Sequence, residues 1–305
     1  MRRARQALGA LAVLIVAGCG TATTAATHQS GGSRSPRPAG SADRSPSPGP
    51  ASRPAPKPRP AVVPASVALS SFRAPDGSLI TLAVFRGGVS FRLHAGSQDP
   101  GYPALSTLHA GPAIVGGERR GLLAAFNGGF KLSQGAGGYE QEGHVVSPLI
   151  RGMASLVIDR SGAAVIGVWG FGLPRPGEAV ESVRQNLTLL VTQGHAAASA
   201  ADWRLWGATL GGGELVARSA LGQDAAGQLI YAGSMSASPA DLAAALVHAG
   251  ARRAMELDIN PEWVQLDVAR HPGHRLTAAI PGQNRPAGQF LVGWIRDFIT
   301  VLAAR

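Results

Sequence analysis

Cysteine is almost absent from this 305-residue chain, which holds one, at position 19. A single thiol excludes an intramolecular disulfide and a Cys-ligated zinc, and within the folded part it leaves no thiol nucleophile. Aromatic residues make up 5% and charged residues 15%, so stability has to come from aliphatic packing. The apolar run Ala7–Ala17 has eleven residues, short of the roughly 20 that span a bilayer. Neither an HExxH pair nor a GxSxG elbow occurs, which removes the commonest zinc-hydrolase and serine-hydrolase signatures. Among the eight histidines, His144, His195 and His248 stand alone, and His271 and His274 lie in a Pro/Gly loop.

What the chain has in excess is positive charge, +10 in total. Residues 1–64 hold nine Lys/Arg and one Asp, whereas residues 65–305 hold nineteen Lys/Arg and seventeen Asp/Glu. The basicity therefore belongs to the N-terminal quarter. Beyond Arg252-Arg253 there is no basic cluster with interleaved aromatics, so a nucleic-acid partner is not expected.

Arg2, Arg3 and Arg5 precede the apolar run, which ends in Val16-Ala17-Gly18-Cys19. This order resembles a bacterial lipoprotein signal, in which the cysteine is acylated and becomes the new N-terminus. Residues 1–18 are expected to be a signal peptide, and Cys19 a lipid anchor on the outer face of the cytoplasmic membrane. Residues 19–64 hold ten prolines among Ser, Gly, Ala and Arg, a composition that cannot bury a core. They are expected to form a disordered tether whose positive charge suits anionic lipid or wall polymer.

Residues 65–305 alternate short apolar stretches with Gly/Pro turns, predicting a single α+β domain of mixed, largely antiparallel sheets with a few flanking helices. Leu79–Phe85 and Val89–Leu93 flank Arg86-Gly87-Gly88 and read as a hairpin. Ala154–Ile158 and Ala164–Val168, joined by Asp159–Gly162, read as a second. Gly211-Gly212-Gly213 reads as a hairpin turn. One helix has clear punctuation: Ser238 as N-cap, Pro239 at the first position, Asp241 in the first turn, and Gly250 at the end.

Four segments could carry chemistry. Asn127-Gly128-Gly129 ends a buried strand, and its bare backbone amides could approach an anion, with Lys131 adding charge. Glu256 and Asp258 alternate on a strand, so both point to one face and need a cation, basic side chains or a shared proton. That spacing suits acid/base chemistry or, with Asn260, a calcium or magnesium site. Arg184 with Asn186, and Arg218, each put a guanidinium beside an apolar strand, suited to phosphate. Each segment alone has a plainer reading as a turn, a solvated strand end or an ion pair. Arg296-Asp297 reads as an ion pair that locks the C-terminal segment.

The ordered set resembles the phosphodiester glycosidase family. Ala125-Phe126-Asn127-Gly128-Gly129-Phe130 is similar to its asparagine-glycine-glycine-phenylalanine strand end. Arg218-Ser219-Ala220-Leu221-Gly222, with the helix from Ser238, is similar to its second half, and Ala254-Met255-Glu256-Leu257-Asp258 to the strand entering its acidic signature. The likeness spans roughly residues 80–300. Many members continue with Gly-Gly-Gly-Ser-Ser, where this chain has Ile259-Asn260-Pro261-Glu262-Trp263, as in a subgroup of exported actinobacterial proteins. The resemblance implies cleavage of the glycosidic bond of a sugar-1-phosphodiester. Asp258 and Glu256 would be the catalytic carboxyls, and Asn127, Gly128, Gly129, Lys131, Arg184, Asn186, Arg218 and Asn260 would contact substrate. The rival expectation is a non-catalytic lipoprotein that binds a phosphate-containing wall glycopolymer.

Replacing Cys19 with Ser is expected to abolish incorporation of labelled palmitate and to move the protein from the membrane fraction to the soluble one. Undiminished labelling of that variant would refute the anchor.

Overall fold

Strands form where the sequence is rich in β-branched and aliphatic residues, and glycines and prolines separate them. The computed structural model describes residues 66–304; the expected signal peptide, Cys19 and the tether lie outside the described residues. The strands form three sheets.

The seven-stranded sheet runs in the order Val67–Arg73, Leu79–Phe85, Leu229–Ala237, Val216–Asp224, Ala251–Glu256, Leu189–Thr192, His195–Ala196. The six-stranded sheet runs His144–Ser147, Tyr139–Gln141, Val180–Gln185, Ala154–Asp159, Ala164–Trp169, Gly172–Leu173. The five-stranded sheet runs Leu276–Ala278, Leu266–Ala269, Leu122–Asn127, Phe298–Ala303, Val89–His94. The strand pairs are antiparallel, except for the two-residue contact of Ala164–Trp169 with Gly172–Leu173.

All three sheets feed one core. Phe85, Phe126 and Tyr231 pack in series, with ring centroids 5.7 and 5.1 Å apart, beside Leu156, Ile166 and Ile299. A second apolar cluster lies under the helix Pro239–His248, where Leu242 and Leu246 meet Ile80, Leu82 and Ile230. That helix starts as its punctuation predicts. Ser238 Oγ accepts from the Asp241 amide at 3.1 Å, and Asp241 Oδ2 accepts from the Ser238 amide at 2.9 Å. Gly250 follows its end at φ +91°, a conformation that favours glycine.

The architecture departs from expectation in three places. The domain is mostly β rather than α+β, with 41% strand against 15% helix. The helix Pro239–His248 has ten residues, whereas Gly116–Gly121 and Gln289–Val292 have six and four. Leu79–Phe85 and Val89–His94 do not form a hairpin. Arg86-Gly87-Gly88 carries the chain from one sheet to another, because Val84 pairs with Ala68 and Ile230 while Val89 pairs with Ala303. Gly211 and Gly212 belong to a short 3₁₀ turn in the loop that leads into Val216–Asp224, not to a hairpin. Phe298–Ala303 is an interior strand, paired on both sides. The hairpin 154–168 forms as expected.

Ser238→Ala removes a cap from a helix that covers the second apolar cluster and is expected to cost about 1 kcal/mol of stability. Urea unfolding of the variant checks this; a midpoint equal to that of wild type would show the cap to be dispensable.

Candidate functional site

The strand Leu122–Asn127 is buried along its whole length and delivers Asn127 to the place where the three sheets meet. Asn127 uses its polar atoms internally. Its amide nitrogen donates to Ser219 Oγ at 2.9 Å, and its oxygen accepts from Tyr231 Oη at 2.9 Å and from the Gln265 amide at 3.2 Å. The next two glycines are required by a neighbour. A Cβ on Gly128 would collide with the Asp297 carboxylate, and one on Gly129 would stand 2.9 Å from Arg184 Cζ. The Gly128 amide donates to the Asp297 carbonyl at 2.9 Å and the Gly129 amide to Asp297 Oδ2 at 3.3 Å. The anion that these bare amides meet is thus part of the chain itself.

Asp297 is held from the other side by Arg184, which arrives on Val180–Gln185 and is 1% exposed. Arg184 Nε donates to Asp297 Oδ2 at 2.8 Å and Nη2 to Oδ1 at 3.3 Å. Its remaining contacts go to the carbonyls of Gln185 and Phe130. Asn186 bridges two backbone segments, donating to the carbonyls of Glu256 and Leu257 and accepting from the Phe130 amide. Arg184 and Asn186 therefore build the site's frame, and Lys131 is exposed beside it.

The acidic strand end forms two charge pairs. Glu256 and Arg218 are both fully buried, and Arg218 Nη1 donates to Glu256 Oε1 at 2.8 Å and to the Trp206 carbonyl at 3.0 Å. Arg218 Nε and Nη2 and Glu256 Oε2 have no partner, so this pair has unspent polar capacity. Asp258 lies just beyond the strand. Its Oδ1 accepts from the amides of Ile259 at 2.8 Å and Asn260 at 3.3 Å, which fixes the carboxyl's orientation. Its Oδ2 faces Arg296 Nη2 at 3.3 Å. Arg296 also approaches Asp99 at 3.3 Å and donates to the Gly129 carbonyl, yet its Nε makes no hydrogen bond.

Burial raises both carboxyls. It pushes Asp258 up to about 6 against the opposing Arg296, and Glu256 up to about 8 against Arg218. Burial and the neighbouring Asp297 also raise Asp99.

The sequence reading missed three contributors. Arg296 and Asp297 do not pair with each other: as neighbours at the start of a strand they diverge, Arg296 to Asp258 and Asp99, Asp297 to Arg184. Their signal was present as two adjacent charges interrupting the apolar run from Phe290 to Leu302. Trp263, from the segment that replaces the glycine-rich loop, lies 5.6 Å from Arg296 and 5.7 Å from Arg285. Asn260 closes that loop, its side chain accepting from the Glu262 amide. Among the described residues no group of three or more His, Asp or Glu is arranged to hold a metal ion; Arg218 and Arg296 stand next to Glu256 and Asp258 where a cation would be needed. A cavity of about 1130 Å³ lies at the far end of Phe298–Ala303, lined by Arg92, Glu118 and Arg160, and includes none of these residues.

No protein-family model matches the chain, and no curated protein sequence does. Among solved structures, the chain is similar to the catalytic domain of zebrafish N-acetylglucosamine-1-phosphodiester alpha-N-acetylglucosaminidase, auto-inhibited by its pro-peptide. The two share 15% identity over 78% of this chain and 82% of that one, with a TM-score of 0.49. A hypothetical protein from Synechocystis gives 13% identity over 78% of this chain and 62% of that one, with a TM-score of 0.45.

Because folding raises the Asp258 pKa, the folded state holds that proton more tightly than the unfolded state. The resulting stabilisation is full below about pH 4 and is lost as pH rises through about 6. Asp258→Asn is therefore expected to lose less stability than wild type between these limits, as measured by urea unfolding at a series of pH values. Parallel wild-type and variant profiles would contradict the assignment.

Proposed function

We propose that the protein is an extracytoplasmic hydrolase that cleaves the glycosidic C–O bond of a sugar-1-phosphodiester in a cell-envelope or exported glycan, acting from a lipid anchor. The observation that carries this reading is the Asp258–Arg296 arrangement. A carboxyl oriented by two backbone amides turns its second oxygen toward a guanidinium whose Nε lies 3.3 Å from Asp99 without a hydrogen bond.

A carboxylate and a cation side by side match what the reaction needs. The bond between the anomeric carbon and the phosphate oxygen breaks, and its electron pair leaves with the phosphomonoester. Water supplies hydroxyl to the carbon and a proton to Asp258. A phosphomonoester is a good leaving group, so charge stabilisation matters more than strong general-acid help. Arg296 takes the phosphate role in this proposal, and Arg218, with two unpartnered nitrogens, is the second guanidinium available for it. Glu256 is assigned to holding Arg218, and a protonated Glu256 can also donate. Asn127, Gly128, Gly129, Arg184 and Asn186 position the site by holding Asp297 and the strand end. The order of motifs described for the phosphodiester glycosidases supports the same reading.

A second reading, a non-catalytic module for a phosphate-containing wall glycopolymer, is favoured by one feature. The free oxygen of Asp258 is already paired with Arg296, as in a site that binds without turnover.

Incubation with N-acetylglucosamine-1-phosphodiesters and teichoic-type fragments is expected to release reducing sugar. Asp258→Asn should lower that rate by about 100-fold or more, and wild-type activity should rise as pH passes about 6. Full activity in Asp258→Asn would remove the assignment, and saturable binding without release would establish the second reading.

A further inference from the structure

Arg252-Arg253, a basic pair in the folded part, takes no part in the site at Asp258. Both residues line a pocket of about 350 Å³ together with Arg175, Gln193, Gln223 and Asp224. The three arginines arrive from different places: Arg252 and Arg253 from Ala251–Glu256, and Arg175 from the loop after Gly172–Leu173.

The arginines of this pocket keep most of their donors free. Among the described residues, the guanidinium groups of Arg175 and Arg252 make no hydrogen bond or ion pair. Arg253 spends one nitrogen on the Ile166 carbonyl, at 3.3 Å. The carboxyl of Asp224 turns to the Gln228 amide, 2.8 Å away. The Gln223 side chain is fully engaged, accepting from the Ile166 amide and donating to the carbonyls of Ala164 and Gly227. Three arginines and one carboxylate line the pocket, a net positive setting for an anion, and a planar guanidinium matches phosphate through paired hydrogen bonds.

The position adds a second argument. The strand Val216–Asp224 carries Arg218 at one end and Asp224 at the other. Six residues at about 3.3 Å each separate the two ends by roughly 20 Å. A polymer with phosphate in every repeat would place one group in this pocket while another repeat lies at the candidate site; a small diester would reach only one of them.

We propose that the Arg175, Arg252 and Arg253 pocket is a second anion site that binds a phosphate group of an anionic glycopolymer, roughly 20 Å along the strand from the Arg218 end. The inference rests on the preceding functional reading only for the choice of phosphate as the anion. It makes the substrate a chain rather than a small molecule.

The test uses the full chain, wild type and the triple variant Arg175→Gln, Arg252→Gln, Arg253→Gln, so that the basic N-terminal segment is common to both. Calorimetry at about 0.15 M salt measures binding of a synthetic oligo(glycerol phosphate) and of inorganic phosphate. The variant is expected to bind the oligomer about 10-fold more weakly at that salt and, over a series of salt concentrations, to lose about 1 from the slope of log affinity against log salt. It should keep the wild-type unfolding temperature and the wild-type turnover of a small sugar-1-phosphodiester. Equal oligomer affinity in the two proteins would overturn the proposal. So would a wild type that binds inorganic phosphate as tightly as the oligomer, which is a site for the free anion only. If no substrate is turned over but the variant still loses oligomer affinity, the reaction reading falls and this site stands.

Discussion

The buried ion pair between Arg184 and Asp297 is the constraint around which the candidate site is arranged. Both side chains are 1% exposed, so each charge depends on the other and on the hydrogen bonds around it. The pair joins the six-stranded sheet, which carries Arg184, to the five-stranded sheet, whose interior strand Phe298–Ala303 follows Asp297. It also dictates the chain's path at residues 128 and 129, because the carboxylate and the guanidinium fill the space that side chains there would need. Once Asp297 is turned toward Arg184, its neighbour Arg296 is directed the opposite way, toward Asp258 and Asp99.

The outcome is an alternation of buried charges. Arg184, Arg218 and Arg296 are interleaved with Asp99, Glu256, Asp258 and Asp297. Burial raises Glu256 and Asp258, and the extra acid in the cluster adds to that shift. Such a cluster costs stability compared with an apolar core of the same size, a pattern typical of places where chemistry or binding is carried out.

Local features were the legible part of the sequence. The helix from Pro239 was readable because its cap, its proline and its final glycine act within a few residues. The hairpin around Asp159–Gly162 was readable for the same reason. Leu79–Phe85 and Val89–His94 misled because a short Gly-Gly link suits a sheet-to-sheet corner as well as a tight turn, and only distant partners decide between them. The acidic pair at 256 and 258 could be seen, but not which arginines would neutralise it. Arg218 lies 38 residues before Glu256 along the chain, and Arg296 lies as far beyond Asp258. Asn127-Gly128-Gly129 looked like a cradle for an external anion because sequence shows the bare amides and not the carboxylate folded against them.

The place of Phe298–Ala303 in the five-stranded sheet bears on the timing of assembly. Its two partners, Leu122–Asn127 and Val89–His94, precede it by most of the domain's length. Closing loops that long is slow compared with forming a hairpin, so the middle of this sheet is among the last parts to settle. Arg296 and Asp297 arrive on the same segment. The cluster of charges therefore cannot be completed until residues 296–303 have been synthesised and seated between their two distant partners.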